Sequence, residues 1–154
     1  MNIYCARPRR SFGTEHDRHQ LGAVAHWHFP EAAIIDPARL WSSNGEWLAE
    51  WGALLPTIDV MVLWSDEGGW LSDGCLREVA DAVAEGLPVL TLGREGELRT
   101  FGGFRAGPAS PLPPATLLLD RHRSGLLVYG PPVTSAELAS LRRLKSGPPG
   151  ADMG

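Results

Sequence analysis

The chain has 154 residues and a formal net charge of −4, which fits one domain that buries a core without disulfides or a structural metal. The acidic balance and the lack of a basic stripe argue against a nucleic acid polymer as partner. No apolar run approaches the roughly 20 residues of a membrane span, and we expect no secretory signal. Two cysteines, Cys5 and Cys75, exclude a disulfide framework. We therefore expect a cytoplasmic protein with no membrane contact.

Strand and helix patterns alternate through the first third of the chain. Residues Asn2 to Ala6 form a short apolar run that is typical of a strand. Thr14 is a candidate N-cap for a helix that continues to about Trp27. The next predicted elements are a strand at Ala32 to Ile35, closed by Asp36-Pro37, and a helix at Glu46 to Leu55 with Trp47, Leu48, Trp51 and Leu55 on one face.

The most informative stretch is a predicted strand–helix–strand unit in the middle of the chain. Ile58 to Trp64 predicts a strand covered on both faces, and the polar loop Ser65 to Gly74 follows it. From Cys75 the apolar residues fall at helical spacing, and Gly86 is suited to end that helix. Pro88 to Leu92 then resumes a strand. Because ligands bind beyond the carboxyl ends of parallel strands, we expect the chemistry in the polar loop.

The pattern is poorer after the central unit. Residues Gly93 to Pro114 are rich in glycine and proline and predict a long surface excursion. Thr116 to Leu119 and Leu126 to Tyr129 predict strands, at least one of them in the sheet. The last predicted element is a helix at Ser135 to Lys145, with Thr134 or Ser135 as its cap, Glu137 in its first turn, and Leu138, Leu141 and Leu144 buried.

This alternation of elements predicts the fold class. It favours a single doubly wound α/β domain of the Rossmann or flavodoxin type, with a mostly parallel central sheet flanked by helices. We expect the domain to span residues 1–146 and residues 147–154 to form a flexible C-terminal tail.

Glu78 is the first candidate for a functional residue. It lies near the start of the helix that follows the central strand, at the edge of the sheet where ligands bind. A carboxylate in the first turn of a helix also interacts favourably with the helix dipole while facing solvent. A purely structural role is therefore the alternative.

Two further groups of residues are predicted at the same edge. Ser72, Asp73 and Gly74 precede the helix, where free backbone N–H groups and a hydroxyl can bind phosphate. Serine and aspartate are also common N-caps without any ligand. Three arginines follow the first strand and form either a bidentate clamp on phosphate or a solvated basic loop; they are Arg7, Arg9 and Arg10.

The remaining candidates give weaker signals. Cys75 has the helix N-terminal position that lowers a thiol pKa, but no histidine is placed to act as its base. The tryptophans around the second predicted helix favour burial in the core or in a two-fold interface between subunits. Four histidines match no spacing of metal ligands, so we expect no metal; they are His16, His19, His26 and His28.

Several of these residues resemble the motifs of one family. Tyr4-Cys5-Ala6-Arg7-Pro8 is similar to a Y-x-A-G-P motif, and Ile58-Asp59-Val60-Met61-Val62 is similar to an aspartate-led strand. The segment from Gly74 to Glu78 matches G-x-x-x-E, and residues 82–89 resemble an A-x-x-x-G-K-P-V ending. Over residues 1–92 the chain resembles the nucleoside 2-deoxyribosyltransferase-like superfamily, which includes the 2′-deoxynucleoside 5′-phosphate N-hydrolases.

The resemblance implies a role for each matched residue. Glu78 corresponds to the nucleophile that attacks the anomeric carbon, and Asp59 would orient neighbouring groups. Ser72 corresponds to the residue near the sugar 5′ position, which is similar to the serine of enzymes acting on 5′-monophosphates. The resemblance also implies an arginine after the first strand, which is Arg9 or Arg10 in this chain, whereas Arg7 stands where the family usually has glycine. The further candidate substrate-binding residues are Tyr4, Arg7, Asp73 and Gly74.

We therefore expect a nucleotide or nucleoside N-glycosidase, or a 2-deoxyribosyltransferase-like enzyme, that cleaves the base–sugar bond through a covalent glycosyl-enzyme. The resemblance also implies a homodimer, and we expect no cofactor. Two alternatives remain open. One is a nucleotide-binding sensor on the same fold that has lost catalysis. The other is an NAD glycohydrolase, because its scissile bond is also N-glycosidic and a fold does not fix a substrate.

Overall fold

A computed structural model describes residues 1–106 and 125–146 of the chain. Their centre is one seven-stranded mixed sheet. Its strands are β1 (Asn2–Ala6), β2 (Ala33–Ile35), β3 (Val60–Leu63), β4 (Trp70–Leu71), β5 (Val89–Leu92), β6 (Leu98–Ala106) and β7 (Gly125–Pro132). They lie in the order β2-β1-β3-β5-β6-β7-β4.

Helices connect and cover these strands, and none of those described is long and apolar enough to cross a membrane. Short 3-10 turns occupy Arg9–Ser11 and Leu55–Thr57. The helices are α1 (Glu15–Gly22), which continues as a π-helix (Ala23–His28), α2 (Pro37–Leu40), α3 (Asn44–Leu54), α4 (Asp73–Ala84) and α5 (Ser135–Ser146).

The sheet has a parallel half and an antiparallel half. β1 pairs in parallel with β2 and β3, and β3 pairs in parallel with β5. β6, β7 and β4 then extend the sheet by antiparallel pairing. Because parallel strands all end at one edge, the loops after β1, β2 and β3 meet there. The α/β class and the parallel centre of the sheet are thus as the sequence predicts.

Side chains of the parallel strands alternate between two buried clusters. On one face, Tyr4 and Met61 pack against residues of α3 and α4. On the other face, Ile3 and Val60 pack against residues of the π-helix and α5. Because both faces of the sheet are buried at β3, the sequence of this strand is an uninterrupted apolar run.

The helix ends follow the capping signals of the sequence. The Thr14 hydroxyl accepts a hydrogen bond from the Asp17 backbone N–H, as an N-cap does. Thr134 and Glu137 form a reciprocal capping box, in which each side chain accepts from the backbone N–H of the other at 3.1 Å. Gly86, with φ of +74°, follows α4 in the left-handed conformation that favours glycine.

The prediction of a long surface excursion from Gly93 to Pro114 is wrong, because β6 lies within it. Register shifts between Arg99 and Phe101, and between Phe101 and Phe104, break the alternation along this strand. The predicted loop of residues 65–74 likewise contains the two-residue strand β4. Residues 107–114, the strand predicted at 116–119 and the tail at 147–154 lie outside the described residues.

The tryptophans of the second predicted helix belong to the core of their own chain. Trp41 and Trp51 are buried, and their rings lie 6.5 and 5.1 Å from the Tyr4 ring, centroid to centroid. The alternative of a two-fold interface built on these two side chains is therefore wrong. Trp47 is only half-buried.

Candidate active site

A cavity of about 740 Å³ opens at the carboxyl edge of the parallel strands. β1 and the loop after it form one wall, α2 and α3 form the second, and the start of α4 forms the third. Most of the sequence-predicted site residues lie on it. The lining residues are Tyr4, Arg7, Arg9, Arg10, Phe12, Pro37, Trp41, Asn44, Trp47, Leu48, Ser72, Asp73, Gly74, Cys75 and Glu78.

Glu78 is the buried acid of this cavity, with only 5% of its surface exposed. The Tyr4 hydroxyl donates a hydrogen bond to Oε2 of Glu78. The Trp47 indole N–H donates to the same oxygen at 3.2 Å. Glu78 therefore does not face solvent, and it lies in the second turn of α4 rather than the first. The structural alternative, a solvated acid on the helix dipole, is wrong.

Burial raises the pKa of Glu78 from 4.5 to about 7, although the Tyr4 and Trp47 hydrogen bonds and the Arg7 charge act to lower it. Burial is also the main reason why the pKa of the Tyr4 hydroxyl rises above its ordinary value, with the Glu78 charge second. Tyr4 thus keeps its proton and stays a hydrogen-bond donor, and Glu78 can hold or release a proton near neutral pH. Such a carboxyl group is suited to act as nucleophile or as acid–base catalyst.

Arg7 lies on the cavity, but its guanidinium is already committed to two buried aspartates. Its Nε lies 2.9 Å from Oδ1 of Asp17, and its Nη1 lies 2.6 Å from Oδ1 of Asp36. The rings of Phe12 and Trp64 lie 4.5 and 5.1 Å from the guanidinium carbon. These contacts join the loops after β1 and β2, so Arg7 organises the wall of the cavity rather than forming an open clamp.

Arg9 and Arg10 lie at the exposed mouth of the cavity. Arg9 donates hydrogen bonds to the Ser42 carbonyl oxygen and, at 3.4 Å, to Oδ1 of Asn44. Arg10 forms an ion pair with Asp66 at 3.0 Å. Two of the three predicted arginines therefore lie where a charged ligand would enter.

The residues predicted at the start of the helix line the same cavity. Ser72 is the N-cap of α4, and its hydroxyl accepts from the Cys75 backbone N–H at 3.3 Å. Asp73 and Gly74 form the first turn. They precede the buried Glu78 on the same helix and line the cavity together with Arg9 and Arg10. The capping role of Ser72 is confirmed, and its role toward a ligand stays a prediction.

Asp59 is not brought to the site. It immediately precedes β3, at the amino edge of the parallel strands, and its carboxylate accepts from the Asn2 backbone N–H at 2.6 Å. Glu78 lies at the opposite edge of the sheet. The prediction that Asp59 is a catalytic residue is therefore wrong, because a residue that leads a parallel strand faces away from the carboxyl ends of the sheet.

Cys75 lines the cavity but does not gain nucleophilic character there. Burial, and next the Glu78 charge, raises the pKa of its thiol to about 12. These effects exceed those of the Ser72 hydrogen bonds and the Arg10 charge, which act to lower it. Among residues 1–106 and 125–146, no group of three or more potential ligands could hold a metal ion.

Trp47 is a site residue that the sequence does not identify. The Arg77 guanidinium carbon lies 5.8 Å from the centroid of its ring, and Trp51, one helical turn away, donates instead to Asp81 at 2.9 Å. The only signal in the sequence is a helix face rich in tryptophan, which equally predicts a core. The contact with Glu78 depends on how α3 lies against α4.

Searches against protein-family models, curated proteins and solved structures find no match to this chain.

Proposed function

We propose that this chain cleaves the N-glycosidic bond of a nucleotide or nucleoside, with Glu78 as nucleophile. The observation that carries the proposal is a glutamate buried at the end of an open cavity, with two donors on one oxygen and a pKa of about 7. Retaining glycosyl transfer uses such a carboxylate. The resemblance of the Tyr4 and Glu78 motifs to those of deoxyribosyltransferase-like enzymes points to the same reaction.

The proposed reaction has two steps. The ionised carboxylate of Glu78 attacks C1′ of the sugar, the C1′–N bond breaks, and its electron pair leaves with the base, which takes up a proton from solvent. Water then attacks C1′, loses a proton and frees the Glu78 carboxylate. In a transferase, the nitrogen of a second base would replace water in the second step.

The mouth of the cavity supports a ligand that carries a phosphate. Arg9 and Arg10 offer guanidinium groups, and the first turn of α4 at Ser72 and Gly74 adds a hydroxyl and backbone amides. Asp73 lies in the same turn and opposes an anion placed close to it. The phosphate would therefore bind nearer the arginines, with the sugar between it and Glu78.

We further propose that the parallel half of the sheet is a doubly wound fold of the Rossmann or flavodoxin type. Its strand order β2-β1-β3-β5 and the helices on both faces support this. In such folds the ligand site lies at the carboxyl edge where the chain reverses its direction across the sheet. β1 lies at that position here, and it contributes Tyr4.

The test is to incubate the protein with nucleosides, 5′-monophosphates, their 2′-deoxy forms and nicotinamide dinucleotide, and to follow free base by chromatography. We expect base release from at least one of the mononucleotides or nucleosides, and nearly complete loss of release in Glu78→Gln. Glu31→Gln, at an exposed turn, controls for the loss of one negative charge.

The other outcomes separate the alternatives. Release of nicotinamide alone would identify an NAD glycohydrolase. Tight binding of an intact nucleotide without release would identify a sensor. A Glu78→Gln protein with wild-type turnover would exclude Glu78 as nucleophile.

A further inference from the structure

The two oxygens of the Glu78 carboxylate have different surroundings. Oε2 accepts from both the Tyr4 hydroxyl and the Trp47 indole N–H. Oε1 accepts no hydrogen bond from any described residue. Since no buried side-chain oxygen or nitrogen in residues 1–106 and 125–146 lacks a partner, Oε1 keeps contact with the open space of the cavity. Oε2 is therefore held by two hydrogen bonds, and Oε1 is exposed to the cavity.

Trp47 is itself held in a defined orientation. Arg77, which immediately precedes Glu78 on α4, lies over the indole ring at 5.8 Å from its centroid, which is within the range of a cation–π contact. A Cβ atom added at Gly74 would lie 3.9 Å from the same ring. The start of α4 therefore packs on Trp47 and orients its indole N–H toward Glu78 of the same helix.

We infer that Trp47 is a positioning residue for Glu78, and that its indole N–H, together with the Tyr4 hydroxyl, fixes Oε2 and leaves Oε1 as the attacking atom. The choice of Oε1 rests on the proposed function. Tyr4 belongs to β1 and Trp47 to α3, so the carboxylate is held from two separate elements and cannot rotate without losing both bonds.

The hydrogen bonds also decide how readily Glu78 ionises. A donor to a carboxylate stabilises its charged form, so removal of the donor raises the pKa. Within the described part of the chain, the charged and titratable groups that act on Glu78 are Tyr4 and Arg7 from β1 and its loop, and Cys75 and Asp81 on α4 itself. Loss of the indole N–H leaves all four in place.

The decisive variant is Trp47→Phe, which keeps an aromatic ring and removes the N–H. From the usual strength of a hydrogen bond to a charged group, we expect the ionisation constant of Glu78 to fall about tenfold, which raises its pKa by about one. The pKa is read from the carbon-13 resonance of the Glu78 carboxyl group, assigned by its loss in Glu78→Gln. Trp41→Phe is the matched control, because the Trp41 indole donates to Glu50 and not to Glu78.

A second measurement needs no substitution at Trp47. In the wild type, the nitrogen-15-coupled resonance of the Trp47 indole proton should shift with pH at the same midpoint as the Glu78 carboxyl group. In Glu78→Gln the same resonance should not follow that midpoint. This measurement uses only the wild type and Glu78→Gln, so it tests the contact between Trp47 and Glu78 even if Trp47→Phe does not fold.

The pH dependence of base release should show the same rise in the pKa of Glu78. With a pKa of about 7 in the wild type, Trp47→Phe should lower the rate about tenfold at pH 6 and less than about twofold at pH 9. A ring that merely lined the cavity would give a loss independent of pH.

The titration of Glu78 and the turnover measurement distinguish a failure of the role of Trp47 from a failure of the proposed reaction. A Glu78 midpoint that is the same in Trp47→Phe as in the wild type overturns the role of Trp47, whatever the turnover. A wild type that releases no base, while its Glu78 midpoint does respond to Trp47→Phe, overturns the proposed reaction and the attack by Oε1, and supports Trp47 as the group that positions Glu78.

Discussion

The replacement of Glu78 by glutamine should stabilise the folded chain at alkaline pH. Glu78 is buried, and its pKa rises from 4.5 to about 7 on folding. Glutamine has nearly the same shape and keeps an oxygen that can accept from Tyr4 and Trp47. The variant therefore removes the charge and little else.

The size of the effect follows from the two pKa values. Below pH 4.5 the acid is protonated in both folded and unfolded chains, and the variant gains nothing. Between pH 4.5 and 7 the unfolded chain releases a proton that the folded chain retains, so the free energy of unfolding of the wild type falls by about 1.4 kcal/mol per pH unit. Above pH 7 the accumulated difference is about 3 kcal/mol in favour of Glu78→Gln.

Urea unfolding of both proteins at pH 4, 6 and 8 measures this difference directly. The gap between Glu78→Gln and the wild type should be near zero at pH 4 and should widen to pH 8. Glu31→Gln, which removes a charge from an exposed turn, is the control for net charge. A gap of equal size at pH 4 and pH 8 would show that the fold does not hold Glu78 at a raised pKa, and the reasoning would be wrong.

Three further predictions concern the arginines and the assembly. Arg7→Met should lower the free energy of unfolding by about 3–5 kcal/mol in urea titrations, because it leaves two buried carboxylates without their countercharge. Arg9→Gln should weaken a 5′-monophosphate relative to its nucleoside by about tenfold in titration calorimetry, and equal affinities in the wild type would argue against a phosphate site. The chain should scatter light as a dimer at micromolar concentration, and Val83→Glu, at an apolar side chain 57% exposed on α4, should favour the monomer; a monomeric wild type would remove this prediction.

The first 92 residues could be predicted closely because their local signals agree with one another. β1, α4 and β5 each show one clear period, and their ends carry caps or left-handed glycines that the structure retains. The strand predicted at Leu126 to Tyr129 is confirmed as part of β7. β6 was missed because its irregular register interrupts the alternation from which a strand is recognised. Gly103, with φ of +105°, lies inside β6, where a glycine pattern suggests a loop instead.

The errors about Arg7 and Asp59 come from topology that the sequence does contain. Asp36 follows β2 and Arg7 follows β1, and these strands are parallel neighbours, so their loops meet at one edge. The pairing of Arg7 with Asp36 could have been expected on that ground. By the same rule Asp59, which precedes β3, belongs to the other edge. The contact of Trp47 with Glu78 could not be obtained this way, since it depends on how α3 packs against α4, and β3 and β4 separate these helices in the chain.

The cost of burying Glu78 is itself an argument for its function. The Tyr4 and Trp47 hydrogen bonds only partly offset burial, since the pKa of Glu78 remains raised. A glutamine at this position would give a more stable fold at neutral pH, because it keeps an acceptor oxygen for both donors and carries no charge. The surrounding core of Tyr4, Trp51 and Val79 on the same face of the sheet compensates for an acid that packing alone does not require. Such local conflicts between sequence and stability occur at functional sites, so the position of Glu78 in this cavity supports the proposed role of its carboxylate.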